Sequence, residues 1–154
     1  MRVLVLIALF LIPTLAWAQT PATPIPEKCE GRLSQALAQK LAEHWIAAWN
    51  SHKADTIMAL YTEDFEMRSH FTLTNPRISD PSGVLRGQAK NRLRWFGDGD
   101  GNQTRWFDLI GVFAGVRSIA IHYKTATAEV IEVEEFAPDC KIERSNALYG
   151  PPKP

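Results

Sequence analysis

Two segments of alternating pattern carry the titratable side chains best placed for chemistry. In SIAIHYK (118–124), Ile119, Ile121 and Tyr123 fall on one face, and Ala120, His122 and Lys124 on the other. In TAEVIEVEEF (127–136), Val130, Glu132, Glu134 and Phe136 share one face, and Glu129, Ile131, Val133 and Glu135 the other. Period-two patterns of this kind mark half-buried strands. A carboxyl among apolar side chains has a raised pKa and can act as acid, base or neutral donor near neutrality. Histidine titrates near pH 6.5 without help. Glu132 and His122 are therefore the candidate catalytic pair. Each has a plain alternative. Glu132 stands on a strand rich in acids, which could be a solvated face. Either Ile121 or His122 points inward, not both, and the apolar side is the better core.

Other polar side chains could bind a ligand. Arg68 and His70 flank Ser69, and two inward polar residues there could hold an anionic group, the alternative being a solvated strand face. Trp45, Tyr61, Trp95 and Trp106 offer the rigid apolar area of pocket walls, or of plain core. Asp98, Asp100 and Asn102 suggest calcium, but an EF-hand loop needs glycine at its sixth position and glutamate at its twelfth. Gln103 and Leu109 stand there instead, so no metal is expected. The sequence has no paired-cysteine metal motif, phosphate-binding glycine loop or nucleophile elbow.

The elements that must position these residues begin with residues 33–50. Leu33, Leu37, Leu41, Trp45 and Trp49 recur every four residues with alanines between them, which is one apolar stripe along a helix. Ser34 or Gly31 could cap its start, and Asn50 is a candidate left-handed stop. A short helix fits 54–61 with Ile57, Leu60 and Tyr61 inward. A strand fits 65–71, a loop 72–86, and a third helix 88–96 with Ala89, Leu93 and Phe96 or Trp95 inward. Strands then fit 104–113, 118–124, 127–136 and 141–149. Helices first and hairpins after them imply an α+β domain with helices on one face of a bent antiparallel sheet.

Several motifs stand in a recognisable order: WIAAWN (45–50), LYTEDFEM (60–67), GVLRG (83–87) opening a helix, and EEFAPDCKIERSNALYG (134–150). The chain resembles the nuclear transport factor 2-like superfamily, in particular its SnoaL-like branch, over residues 33–150. The resemblance implies a cone, a curved antiparallel sheet wrapped around the long N-terminal helix with a pocket between. It also implies small-molecule binding and a homodimer through the outer sheet face. The ketosteroid isomerase pattern aligns Glu132 with a carboxylic acid of the oxyanion hole, Ser69 with the proton-abstracting aspartate and Trp45 with the oxyanion-hole tyrosine. A serine without an adjacent base cannot abstract a carbon-bound proton usefully, and an indole N–H donates without exchanging a proton. Both departures argue against ketosteroid isomerase chemistry. SnoaL-like cyclases use an inward histidine and an acid beside a carbonyl, the role that His122 and Glu132 would fill. No cofactor is implied. Because a fold does not fix function, three readings stay open: a proton-transfer enzyme, a non-catalytic ligand binder, and a dimeric interaction module.

Composition bounds the setting. The chain has 154 residues with 17 basic and 17 acidic side chains, which excludes the basic stripe of a nucleic-acid binder. Arg2, the apolar run 3–12, Pro13 and Ala16-Trp17-Ala18 read as a secretory signal peptide over 1–18. A run of about ten residues is too short to span a bilayer, so no membrane association is expected after cleavage, and the product would be secreted or periplasmic. Residues 19–30 read as a flexible tether, 31–150 as the domain and 151–154 as a loose tail. Cys29 and Cys140 suit an intrachain disulfide in an oxidising compartment, with free thiols or an interchain bond as the alternatives.

Overall fold

The computed structural model describes residues 28–98 and 105–151. The expected signal peptide, residues 19–27 of the expected tether, most of the Asp98–Asn102 turn and the last three residues lie outside that range. Among the described residues no helix is long and apolar enough to cross a membrane.

Helix α1 (Gln35–Asn50) is the axis of the fold. Ser34 caps it, its hydroxyl accepting from the Leu37 amide at 3.2 Å. Without a capping oxygen that amide would be an orphan of the first turn. The helix buries Ala38, Leu41, Ala42, Trp45, Ala48 and Trp49, the three-and-four spacing of a single stripe. That stripe packs on the inner face of β3 (Asp108–Ala114) and β4 (Ser118–Lys124) and on α2 (Ala54–Met58). Asn50 is not the left-handed stop; His52 takes that backbone conformation, at φ 58°. The Asn50 amide is spent across the fold, donating from Nδ2 to the Phe107 carbonyl and accepting at Oδ1 from its N–H, both at 2.9 Å.

Strand β1 (Tyr61–Arg68) begins four residues earlier than its alternation suggests, and the chain then turns into the short helix α3 (Phe71–Thr74). The Ser69 carbonyl accepts from the Thr72 amide at 2.9 Å, which closes that turn and ends the strand. Strand β2 (Val84–Arg86) follows the loop, and α4 (Gln88–Phe96) starts at Gly87, whose φ of 92° suits a residue without a side chain. The α4 face turned inward is Asn91, Arg94 and Phe96, not Ala89 and Leu93.

The six strands form one curved, unclosed sheet in the order β2-β1-β6-β5-β4-β3, completed by β5 (Glu129–Phe136) and β6 (Ile142–Tyr149). The architecture is α+β, a sheet curled about the first helix. One pairing departs from the antiparallel expectation: β1 runs parallel to β6. These strands are joined by most of the chain rather than by a hairpin, so no tight turn dictates their direction. The pairing skips between Tyr61 and Glu66, a bulge that leaves Glu63 and Asp64 exposed while Phe65 and Met67 point inward.

Cys29 and Cys140 sit at disulfide distance, Cα atoms 5.0 Å apart and 111 residues apart in sequence. The Cys29 amide donates to the Pro138 carbonyl at 2.9 Å, so the segment before α1 is pinned to the β5–β6 turn. A bond closing so long a loop removes entropy from the unfolded chain. Replacing both cysteines with alanine is expected to lower the unfolding free energy by about 2–4 kcal/mol, read from urea denaturation of oxidised protein. A loss below about 0.5 kcal/mol, the scale of an ordinary surface change, would mean that the thiols are not joined in solution.

Candidate functional site

The site lies between α1, the loop after α3, α4 and the inner face of the sheet. It is a cleft of about 290 Å³. Its walls are aromatic. Trp45 and Trp49 come from consecutive turns of α1, Trp95 from α4, Phe107 from the run into β3, and Tyr123 from β4. Trp45 meets Tyr123 at 5.2 Å and Phe107 edge-on at 5.6 Å between ring centroids. Rings at such distances are held in offset or edge-to-face contact, which makes a stiff wall.

Tyr61 stands behind that wall rather than in it. It is fully buried, and its hydroxyl oxygen accepts from the indole N–H of both Trp45 and Trp49 at 3.2 Å. The Trp45 N–H is therefore spent inside the protein. Trp45 contributes a surface to the cleft, not the donor that its alignment with the isomerase tyrosine implied.

Glu132 is the one acidic side chain among the described residues lining the cleft. It sits on β5 opposite Ile121 and Ala147, on the face shared with Val130, Glu134 and Phe136. The Tyr123 hydroxyl donates to its Oε2 at 2.8 Å, which leaves Oε1 for a bound molecule. Burial pushes the carboxyl up to about 7, opposed by that hydrogen bond and by the charge of Arg94. The acid is therefore divided between its two protonation states at neutral pH.

Arg94, from the buried face of α4, brings the opposite charge. Its Nη2 donates to the Ser69 hydroxyl at 3.2 Å, and its Nη1 is buried with no hydrogen-bond partner among the described residues. Ser69 also accepts from the Phe71 amide at 3.3 Å, and its hydroxyl interacts with that of Tyr149. A hydroxyl beside a guanidinium is a poor base, so Ser69 positions Arg94 rather than abstracting a proton. Arg77, Arg105 and Asn75 line the mouth. The lining is thus aromatic at depth, with one acid and a cluster of cations.

Besides Tyr61, three expected site residues lie away from the cleft. His122 pairs with Ile131 on the outer face of the sheet, where its Nε2 meets Glu129 Oε1 at 2.7 Å. Strand alternation sets His122 and Glu132 on opposite sides of the sheet, so they do not share a cavity. Arg68 is exposed and paired with Glu66 at 2.9 Å. Trp106 is 58% exposed, donates to Asp108 Oδ1 and leaves the wall position to its neighbour Phe107. The sequence reading missed Arg94, Tyr149 and Glu134. Glu134 is buried beside Glu132, and the Ser145 hydroxyl donates to its Oε2. Its signal in the sequence is its place two residues along the same strand face.

A SnoaL-like protein of unknown function from Burkholderia thailandensis superposes on this chain with a TM-score of 0.64 at 35% identity, over 78% of this chain and 99% of that one. This chain belongs to the SnoaL-like family. More distant solved structures resemble this chain in fold. The epoxide hydrolase/cyclase-like enzyme SalBIII, of pyran ring formation in the polyether salinomycin, matches at TM-score 0.55 and 16% identity, over 76% of this chain and 93% of that one. An NTF2-like protein of unknown function from Cytophaga hutchinsonii matches at 0.51 and 13%, over 74% and 90%. At such identities only the fold is shared. No family profile and no curated relative matches the sequence. The ring of aromatics, Glu132 and Arg94 are the features that this SnoaL-like chain sets inside the shared fold.

Proposed function

We propose that the chain is an exported SnoaL-like domain that binds a small anionic organic molecule in the aromatic cleft. We further propose that it moves a proton on that molecule without a cofactor. The observation that carries this is Glu132: a buried acid, held by Tyr123, poised near 7 and facing a cleft with Arg94 on its other side. A general base is most effective with a pKa near the working pH. The carboxylate takes a proton from a carbon next to a carbonyl; the electron pair of that C–H bond becomes the C=C bond of the enolate as the carbonyl π pair moves onto oxygen. The Arg94 guanidinium, which lines the same cleft, supplies positive charge for the developing oxyanion or a second anionic group. The protonated Glu132 then returns the proton to another position. The likeness to a cyclase-like enzyme and the cysteine pair at disulfide distance support the reading of fold and export.

The test is solvent exchange. Small keto acids and β-dicarbonyl anions are incubated with the protein in D₂O, and loss of the proton next to the carbonyl is followed by NMR beside quenching of tryptophan fluorescence. Enzyme-dependent exchange supports the full reading. Saturable binding without exchange leaves the non-catalytic binder, the second reading, which the loss of the isomerase-type base at Ser69 favours. Absence of both sinks the cleft as a ligand site.

The same reading includes a homodimer. Phe113, Ile131 and Leu148 are exposed on the outer sheet face at 63%, 40% and 51%, Ile131 directly opposite Leu148, and exposed apolar surface of that kind marks association. Ile131→Glu with Leu148→Glu is expected to halve the mass measured by light scattering without changing the circular dichroism. An unchanged mass would assign the face no role in assembly.

A further inference from the structure

Trp45 has a second open side. Beyond it lies another cavity, of about 540 Å³, bounded by α1, α2 and the sheet end near Cys140. It touches the first cleft only through the Trp45 ring, the one residue common to both linings. Its walls are Leu41, Leu60, Ile119, Phe136 and Ile142, with Glu134 among them. Glu134 is fully buried. The Ser145 hydroxyl donates to its Oε2, while its Oε1 is buried with no hydrogen-bond partner among the described residues, the nearby Trp45 indole N–H donating to the Tyr61 hydroxyl instead.

That arrangement is costly unless something completes it. A buried polar atom left without a partner carries a desolvation penalty, and native structures leave few. The volume is within the range of small-molecule pockets, which are mostly apolar with one or two polar groups that fix orientation. The cavity and the orphaned oxygen are separate observations, and both point to a ligand.

We propose that this second cavity binds a neutral, mainly apolar molecule whose single hydroxyl group reaches Glu134 Oε1. The hydroxyl follows from the chemistry of the site: it both donates and accepts, so it meets a carboxyl in either protonation state. Neutrality follows from the surroundings. Among the lining residues Lys141 offsets Asp139 and burial favours neutral His44, so no net charge awaits an ion there; an anion would lie against Glu134, and a cation would be stripped of water by the apolar wall. The site is distinct from the Glu132 cleft and does not depend on what occurs there.

The probe is 1-naphthol, with naphthalene as the apolar control, each titrated into ¹⁵N-labelled protein. Expected are 1:1 binding of naphthol with shifts centred on Ile119, Phe136 and Ile142, and affinity about 10-fold above naphthalene, the scale of one net hydrogen bond. Glu134→Leu should bring the two affinities together. Ala59→Trp plugs the mouth from an exposed position, and should abolish binding of both while leaving fluorescence titrations at the first cleft unchanged. Shifts centred instead on Tyr123 and Tyr149, equal affinities in the wild type, or no binding would each overturn the proposal. Should Glu134→Leu not fold, the naphthol-to-naphthalene ratio and Ala59→Trp still decide it.

Discussion

Glu132→Gln is expected to slow proton exchange on a cleft-bound substrate by about 10²–10⁴-fold, the usual contribution of a positioned acid–base group, with affinity changed little. The substitution keeps the shape of the side chain and an oxygen to accept from Tyr123, so the aromatic walls and Arg94 stay in place. What it removes is the proton that Glu132 takes and returns. In the wild type the carboxylate is the reactive form, so the rate should fall about tenfold per pH unit below about 7 and level off above it. The glutamine protein should show no such limb. Tyr123→Phe provides an independent check. Burial sets the high value at Glu132, and the Tyr123 hydrogen bond opposes it by favouring the carboxylate. Losing that bond should move the midpoint upward. Exchange at the wild-type rate in Glu132→Gln would exclude Glu132 as the base, whatever the affinity.

How much of this was legible follows from the physics of each element. The stripe of α1 could be read because every fourth residue is large and apolar, and a buried helix face has no other way to be written. The inward side of β5 could be read because alternation is strict and Val130 and Phe136 fix its sense. The same alternation had already placed His122 with the outer residues once Ile121 was taken as core. The resemblance to SnoaL-like cyclases implies an inward histidine, and the strand geometry overrides it. Trp106 against Phe107 shows a different limit. Both are aromatic, the flanking sequence has no pattern, and the pairing of Phe107 with the Asn50 side chain decides which turns inward. Arg94 was hidden by its type, since a buried arginine reads as a surface residue until a partner such as Ser69 is known. The parallel pairing of β1 with β6 was hidden because no local turn encodes it.

The folded protein is expected to be more stable near pH 5 than near pH 8, an inversion of the behaviour of surface carboxylates. Glu132 and Glu134 are both held above their ordinary value. Burial is the main cause in each, and Glu132 adds charge repulsion at Glu134, where the Ser145 hydroxyl and the Trp45 indole oppose the rise. A group whose folded pKa is raised binds more protons in the folded state than in the unfolded one, so unfolding free energy falls as pH rises through the interval. For Glu132 that interval runs from the unfolded value of 4.5 to about 7, which corresponds to about 3 kcal/mol. Glu134 acts in the same direction and continues above it. The stabilisation is complete below pH 4.5 and is lost on the alkaline side. Glu66 behaves in the opposite way: burial, the largest single effect, raises it, but the hydrogen bonds and charges of Arg68 and Arg86 together outweigh that and hold it down, so its contribution fades only in stronger acid. The maximum should therefore lie on the acid side of neutrality. Urea midpoints between pH 4.5 and 8.5 measure the slope, and Glu134→Gln, neutral at every pH and able to accept from Ser145, should flatten part of it. A wild-type curve that is level across this range would mean that water reaches both carboxyls, and the dry interior on which the chemistry at Glu132 depends would not exist.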